Sequence, residues 1–221
     1  MAVVAEKRRR RNDAADTREL LIAEAARMFY ARGFGAVTIE EICAGLKPPL
    51  TKGAYYHIFD SKEAVLYAIH EKYMVEAQQF LDAMQATPLT APQQFGRLFA
   101  HTATLLRQIR PYVVVTILEQ RHLTGSYASR ARRTRDDYRL RIEAIVRQGQ
   151  QEGTLARDLD AKIMTLNYFA ILNWMYLWYR EAGTLSSDEI VATCGTQFLR
   201  SVLADPAAAP RVRRARPRHV P

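Results

Sequence analysis

Residues 51–57, Thr-Lys-Gly-Ala-Tyr-Tyr-His, combine hydrogen-bond donors with two small residues. Thr51 is a typical helix-start residue, while Gly45 and Pro48 end the short apolar helix that begins near Ile39. Two short helices joined by a turn can seat the second helix in a DNA major groove. The predicted chemistry is therefore noncovalent recognition of DNA. An ordinary helical hairpin would carry the same bare pattern, so the spacing alone leaves both interpretations open.

The candidate DNA contacts lie in this segment and at the helix start that follows it. Gly53 and Ala54 allow close backbone approach, and Lys62 sits beside a helix start expected at Asp60 or Ser61, where a phosphate is favoured. The side-chain donors are Thr51, Lys52, Tyr55, Tyr56 and His57.

The run from Leu20 to Leu66 resembles the DNA-binding domain of TetR-family transcriptional repressors. The matching residues, in order, are Ala25-Ala26, Phe29, Arg32-Gly33-Phe34, Thr38, Glu41-Ile42, Ala44-Gly45, Lys52-Gly53-Ala54, Tyr56-His57, Phe59 and Ser61-Lys62-Glu63. The resemblance implies phosphate contacts from Thr38, Tyr56, His57 and Lys62, and base contacts from Thr51 to Tyr55.

The chain departs from that family's pattern in the turn before Thr51. Lys47-Pro48-Pro49-Leu50 is an insertion of about four residues relative to the family. It lengthens the turn that sets the angle between the two short helices, and the two prolines make that turn stiff. Ile58 also stands where the family commonly has a second His.

The basic character of the chain belongs to its two ends. Of a net charge of +9 over 221 residues, residues 1–12 and 205–221 each carry +4. Both segments are expected to be disordered. Each could attach to DNA phosphates or act as a solubilising tail, and only the N-terminal arm adjoins the helix-turn-helix. No signal peptide is expected, because no apolar stretch follows the N-terminal charges.

Helical periodicity continues through the rest of the chain, which predicts an all-α fold of about nine helices. The first helix is expected from about Asp16 to Arg32, and a long one from Ser61 to about Gln85. The predicted domains are a basic arm at 1–12, a helix-turn-helix domain at 13–60, a ligand-binding and dimerisation domain at 61–204 and a basic tail at 205–221.

The segment from Asp160 to Arg180 is apolar all the way round, so it must be covered on both sides. Its apolar run of about 17 residues, interrupted by Asn167 and Asn173, is short of the roughly 20 that a membrane span needs. We therefore expect no membrane association, and a homodimer formed through the last two helices, about 160–204.

A second resemblance lies in this half of the chain. Asn173-Trp174, Trp178-Tyr179-Arg180 and Gly183-Thr184-Leu185-Ser186 resemble the C-terminal signature of TetR-type regulators of lipid and sterol breakdown, several of which respond to acyl-CoA thioesters. Leu177 stands where many of them carry an Arg, and Glu181-Ala182 replaces a common Pro-Gly. The same aromatic residues could instead build the dimer interface.

Candidate ligand-binding residues are the polar or aromatic groups expected to face into the second domain. They are His101, Tyr112, Glu119, Tyr138, Asn167, Asn173 and Trp174. An enzyme is not expected, because the five His residues are scattered and no HExxH, CxxC, G-x-S-x-G or Gly-rich phosphate loop is present. Glu119 and His122 have the spacing of a helical metal-ligand pair, but no second pair accompanies them. No metal or cofactor is predicted.

The sequence thus predicts a cytoplasmic, dimeric, ligand-responsive transcriptional regulator, nucleoid-associated when bound. Its expected partners are a palindromic double-stranded DNA operator, a second copy of itself and an apolar small-molecule effector, for which the resemblance suggests acyl-CoA or a related lipid metabolite. The expected action is repression. The alternative is a nonspecific DNA-binding or scaffold protein that acts through its basic tails.

Overall fold

The computed structural model describes residues 2–205, and the side chains of residues 15–205. In that part of the chain the fold is all-α, as the sequence predicted, with nine α-helices, a 3-10 turn at Gln120–His122 and one isolated bridge between Leu155 and Leu203. The helices are α1 (Ala2–Arg32), α2 (Ile39–Gly45), α3 (Lys52–Tyr56), α4 (Lys62–Gln85), α5 (Ala91–Gln108), α6 (Arg110–Glu119), α7 (Gly125–Glu152), α8 (Ala161–Trp178) and α9 (Ser187–Val202).

Most helix ends fall within two residues of their predicted positions, because capping residues mark them. α1 ends at Gly33, whose φ of +80° suits glycine, and the Gly33 N–H donates to Phe29 O at 2.8 Å. Asp160 caps α8 by accepting from the Ile163 N–H at 2.9 Å, and Ser186 caps α9 together with Glu189.

The start of α1 differs from its predicted position. It lies at Ala2 rather than near Asp16, so the helix includes most of the segment expected to be a disordered arm. The basic tail lies outside the described residues, apart from Asp205.

The helices form two compact units, and the N-terminal unit contains more than the predicted DNA-binding domain. It comprises the chain up to Val75 together with Pro111–Thr134. Val115 and Leu123 lie in the same buried cluster as the helix-turn-helix residues Ile42 and Tyr55. The sequence placed a domain boundary after residue 60, whereas α6 and the beginning of α7 pack with the helix-turn-helix here.

The C-terminal unit contains Glu76–Arg110 and the chain from Arg135. Its core is rich in aromatic rings: Phe95, Phe99, Tyr168 and Phe198 contact one another with ring centroids 5.0–5.9 Å apart. The helices α5 and α9 approach closely at Gly195, where a Cβ would lie 2.9 Å from the Phe99 ring. A side chain at that position would push the two helices apart.

Candidate nucleic-acid interface

A capping box fixes the start of α2. The Thr38 N–H donates to Glu41 Oε2 at 2.7 Å, and the Glu41 N–H donates to Thr38 Oγ1 at 3.2 Å. The Arg32 guanidinium also donates to Glu41 Oε1, at 2.8 Å. These hydrogen bonds lower the pKa of Glu41 to about 2. The bond from the Thr38 backbone contributes most, and those from Arg32 and from the Thr38 hydroxyl contribute less. Ile42 anchors the opposite side of the helix in the core.

The inserted turn between α2 and α3 is closed at its base. The backbone N–H groups of Leu46 and Leu50 both donate to the Cys43 carbonyl oxygen, at 3.4 and 3.0 Å. Leu46 is buried, whereas Lys47, Pro48 and Pro49 are exposed. The turn, predicted to be an insertion, therefore forms a small protrusion whose base is held by α2 and whose exposed tip lies a few residues before α3.

One residue of α3 expected to face the bases is instead part of the core. Tyr55 is fully buried, and its hydroxyl donates to the Ser61 carbonyl oxygen at 2.9 Å. Burial, more than the nearby charges, raises the pKa of Tyr55 above its usual range. The placement of Tyr55 among the base contacts is therefore wrong for this structure. The side chain fastens α3 to the start of α4 and so sets the orientation of the short helix.

The remaining residues predicted for α3 lie at or near the surface. Thr51 is its N-cap and accepts from the Ala54 N–H at 3.1 Å, so its hydroxyl oxygen has a structural partner. The Lys52 ammonium forms an ion pair with Glu40 of α2. The structure leaves the side of α3 opposite Tyr55 open to solvent, and its exposed members are Thr51, Lys52, Gly53, Tyr56 and His57, with Ala54 partly exposed.

Lys62, expected to hold a phosphate, has partners inside the protein. Its ammonium donates to Phe34 O at 2.9 Å and to Val37 O at 2.8 Å, and it lies 4.2 Å from the centroid of the Phe34 ring. Burial lowers the pKa of Lys62, while the Glu41 charge opposes that shift. These contacts tie the start of α4 to the segment between α1 and α2. They favour a structural role for this cation.

Four of the seven candidate ligand-binding residues are buried or partly buried: His101, Tyr112, Glu119 and Tyr138. In the C-terminal unit the His101 ring stacks on Phe80 with centroids 3.8 Å apart, and burial lowers its pKa. The His101 Nε2 atom is buried and has no hydrogen-bond partner among the described residues. Tyr138 is half-buried, with its ring 6.1 Å from that of Phe169. A neutral imidazole can donate or accept a hydrogen bond, so His101 could meet a polar group on a bound molecule.

Tyr112 and Glu119 belong to the N-terminal unit rather than to the predicted ligand-binding domain. Tyr112 faces the Lys72 ammonium, 5.6 Å from its ring centroid. Glu119 is buried, and its Oε2 lies 3.3 Å from His122 Nε2, which accounts for the spacing noted in the sequence. No group of three or more His, Cys, Asp or Glu residues suited to a metal ion occurs in the part of the chain that the structure describes.

The other three candidates do not face inward. Asn167, Asn173 and Trp174 lie on the exposed side of α8, where Trp174 is 66% exposed. The expectation that they face into the second domain is wrong for this structure, because the apolar pattern of α8 left its buried side undetermined. The same exposed side carries the large apolar residues Ile163, Leu166 and Trp178, in a helix that the sequence predicted to be covered on both sides. Ile163 and Leu166 are three residues apart and Trp174 and Trp178 are four apart, which is the signal for one helical side.

Comparison with known proteins agrees with this arrangement. Residues 21–69 match the family "Bacterial regulatory proteins, tetR family", and residues 88–202 match "Tetracyclin repressor-like, C-terminal domain". The chain is 26% identical over 198 residues to the HTH-type transcriptional repressor KstR2 of Mycolicibacterium smegmatis, a match that covers 86% of this chain and 90% of that protein.

Solved structures share the fold. The ketosteroid transcriptional regulator KstR2 of Mycobacterium tuberculosis has a TM-score of 0.77 at 21% identity, covering 85% of this chain and 95% of that one. AibR, in complex with isovaleryl coenzyme A and operator DNA, has a TM-score of 0.74 at 24% identity, covering 81% and 96%. At these identities the structures establish the fold alone.

The fold and the exposed α3 surface define an all-helical protein of the helix-turn-helix class. With both family models matched, the chain belongs to the TetR family of bacterial transcriptional regulators. No helix in the described part of the chain is long and apolar enough to cross a membrane.

Proposed function

We propose that this protein is a dimeric repressor that binds a palindromic DNA operator through α2 and α3 and is released by an apolar small molecule. The observation that carries the proposal is the exposed side of α3, which presents the side chains of Thr51, Lys52, Tyr56 and His57. On the opposite side of this helix, buried Tyr55 holds the backbone in place through its hydrogen bond to the Ser61 carbonyl oxygen. A fixed helix with exposed donors suits the major groove, where base edges present hydrogen-bond partners.

Recognition of a palindrome requires two copies of this unit in twofold symmetry. The exposed stripe on α8, formed by Ile163, Leu166, Trp174 and Trp178, supports a dimer built on the last two helices. A stripe of this kind is unfavourable in water, and a second copy can cover it with the same surface. The two α3 helices would then enter successive major grooves about 34 Å apart.

The effector is proposed to bind in the C-terminal unit. His101 supports this location because its buried Nε2 lacks a partner among the described residues and its ring stacks on Phe80. The chemical class is proposed to be an acyl-CoA thioester or a related lipid metabolite. Support comes from the signature that begins at Asn173 and from two proteins of similar fold, the ketosteroid regulator KstR2 and AibR in complex with isovaleryl coenzyme A.

Release requires that the effector favour a conformation in which α3 cannot meet the operator. Helix α4 is the proposed connection, because it starts in the N-terminal unit at Lys62 and ends in the C-terminal unit at Gln85. An effector bound near Phe80 and His101 would act on the second half of this helix, and Tyr55 and Lys62 join its first turn to the helix-turn-helix.

The test is a fluorescence anisotropy titration with DNA from immediately upstream of the gene, followed by addition of acyl-CoA thioesters of increasing chain length. We expect two chains per palindrome and release by at least one thioester, with coenzyme A alone as the control. His101→Phe keeps an aromatic ring beside Phe80 but loses both nitrogens. It should bind DNA like the wild type and need about 3–10-fold more effector, the equivalent of one hydrogen bond. Binding of one chain per site, or equal release by coenzyme A alone, would contradict the proposal.

A further inference from the structure

The turn Leu46–Leu50, which contains the predicted insertion Lys47–Leu50, presents one cation at the edge of the candidate DNA surface. Both ends of the turn are held by hydrogen bonds to a single oxygen, that of Cys43, and Lys47 lies at the exposed tip. Pro48 and Pro49 restrict the backbone of the tip through their fixed φ angles. The position of Lys47 is therefore set by the turn, and only its side chain retains freedom.

Among the residues whose side chains the structure describes, three cations of the helix-turn-helix region have partners within the protein, whereas Lys47 does not. Lys52 is paired with Glu40, Lys62 donates to two backbone carbonyls, and Arg32 donates to Glu41 and to a carbonyl. Lys47 forms no hydrogen bond or ion pair with any residue that the structure describes. Its charge is thus fully available to a partner outside the protein.

The chemistry of the tip limits what that partner is. Pro48 and Pro49 have no N–H, so the tip offers few backbone donors, and the Lys47 ammonium is its available cation. A flexible ammonium binds phosphate as a point charge and does not distinguish bases. The tip precedes the N-cap of α3, Thr51, by a few residues, so it accompanies this helix toward the DNA.

We propose that Lys47 binds a phosphate of the operator backbone and that the inserted turn is an added anchoring element of the DNA interface. The proposal rests on the proposed function, since it requires that α3 enter DNA. It assigns to the insertion an electrostatic contribution that is independent of base sequence. Lys47 positions the protein on the duplex, and the exposed side chains of α3 supply the specificity.

The experiment measures the salt dependence of affinity for two duplexes, one selected from a random library by the wild-type protein and one of unrelated sequence. Each protomer of the dimer contributes one Lys47, so Lys47→Gln should lower the slope of log affinity against log salt by about 1.8, the share of two phosphates. A fourfold rise in salt should then cost the wild type about 12-fold more affinity than the variant. Lys47→Arg keeps the charge and should retain the wild-type slope.

The matched control is Arg97→Gln, which removes one charge from an exposed residue of α5 in the C-terminal unit. It should leave the slope unchanged, and the melting temperature of Lys47→Gln should equal that of the wild type because the side chain is exposed. A Lys47→Gln slope equal to the wild-type slope would overturn the inference while leaving the proposed function intact. So would an equal fall for Arg97→Gln, which would reflect net charge alone. Failure of the wild type to select any duplex would remove both proposals.

Discussion

Replacing Lys62 with Met should destabilise the N-terminal unit without removing a phosphate contact. The ammonium donates to Phe34 O at 2.9 Å and to Val37 O at 2.8 Å, and it lies 4.2 Å from the centroid of the Phe34 ring. Met keeps much of the length and apolar character of the lysine stem. The substitution therefore isolates the loss of the charged donor.

The magnitude follows from these contacts. A hydrogen bond from a charged donor contributes about 1.5–3 kcal/mol, and an exposed cation–π contact about 0.5–1 kcal/mol. Lys62 is partly exposed, so water would restore part of the loss at the two carbonyls. We expect the free energy of unfolding to fall by about 2–4 kcal/mol. For a chain of this length the melting temperature should fall by roughly 4–16 °C.

The assay combines thermal unfolding with the salt dependence of DNA binding. Lys52→Met is the matched control, because it also removes one ammonium but breaks only a surface ion pair, at a cost of about 0–1 kcal/mol. Lys62→Met should lower the melting temperature more than this control and keep the wild-type salt slope. The reasoning would be refuted if Lys62→Met melted like the wild type and lowered the slope by about 1.8, the share of one phosphate for each protomer of the dimer.

Three further predictions concern the dimer, a cap and the core. Trp174→Ala should weaken self-association by about 2–4 kcal/mol, because it removes a large exposed side chain of the proposed dimer surface. Analytical ultracentrifugation should then show monomer at concentrations where the wild type is dimeric. An unchanged dissociation constant would place the dimer interface elsewhere. Hydrogen bonding holds the pKa of Glu41 at about 2, below its unfolded value, so its contribution is complete above about pH 5 and disappears as the pH falls through about 2. The stability difference between wild type and Glu41→Gln should therefore shrink with falling pH, and a pH-independent difference would contradict this. Gly149→Ala would place a Cβ 2.6 Å from that of Ala91 and should cost about 1–3 kcal/mol of unfolding free energy, whereas Gly96→Ala, with nothing within 4 Å, should be neutral or stabilising.

The sequence predicted the helices well because their ends carry local signals. Thr51 caps α3, and Ser61 accepts from the Ala64 N–H at the start of α4, as expected from residue type. The all-α class followed from the apolar periodicity. Such signals depend only on a few neighbouring residues, so they can be recognised without knowledge of the tertiary structure.

The direction in which a side chain points was harder to predict. Helix α3 has only five residues, too few to define a buried side by periodicity, and Tyr55 was assigned to the DNA when it belongs to the core. Helix α8 has the opposite difficulty, because its apolar residues surround it completely. The inward placement of Asn173 and Trp174 consequently failed.

Long-range packing explains the remaining differences. The partners of Lys62, 25 and 28 residues earlier in the chain, depend on how α4 meets the segment after α1. The burial of Val115 and Leu123 with the helix-turn-helix depends on the path of α6. Neither contact has a local signature. A domain boundary drawn along the sequence therefore could not anticipate a unit assembled from two separate stretches.

The central claim is that α2 and α3, rather than the basic ends of the chain, recognise DNA. The most direct test is the binding of residues 13–204 and of the full chain to DNA from upstream of the gene, across a salt series and with unrelated competitor DNA. The account predicts that the shortened chain still binds this DNA selectively, with a reduced salt slope and lower overall affinity. Loss of all selective binding on removal of residues 1–12 and 205–221 would contradict it and would favour a protein that holds DNA through its charged ends.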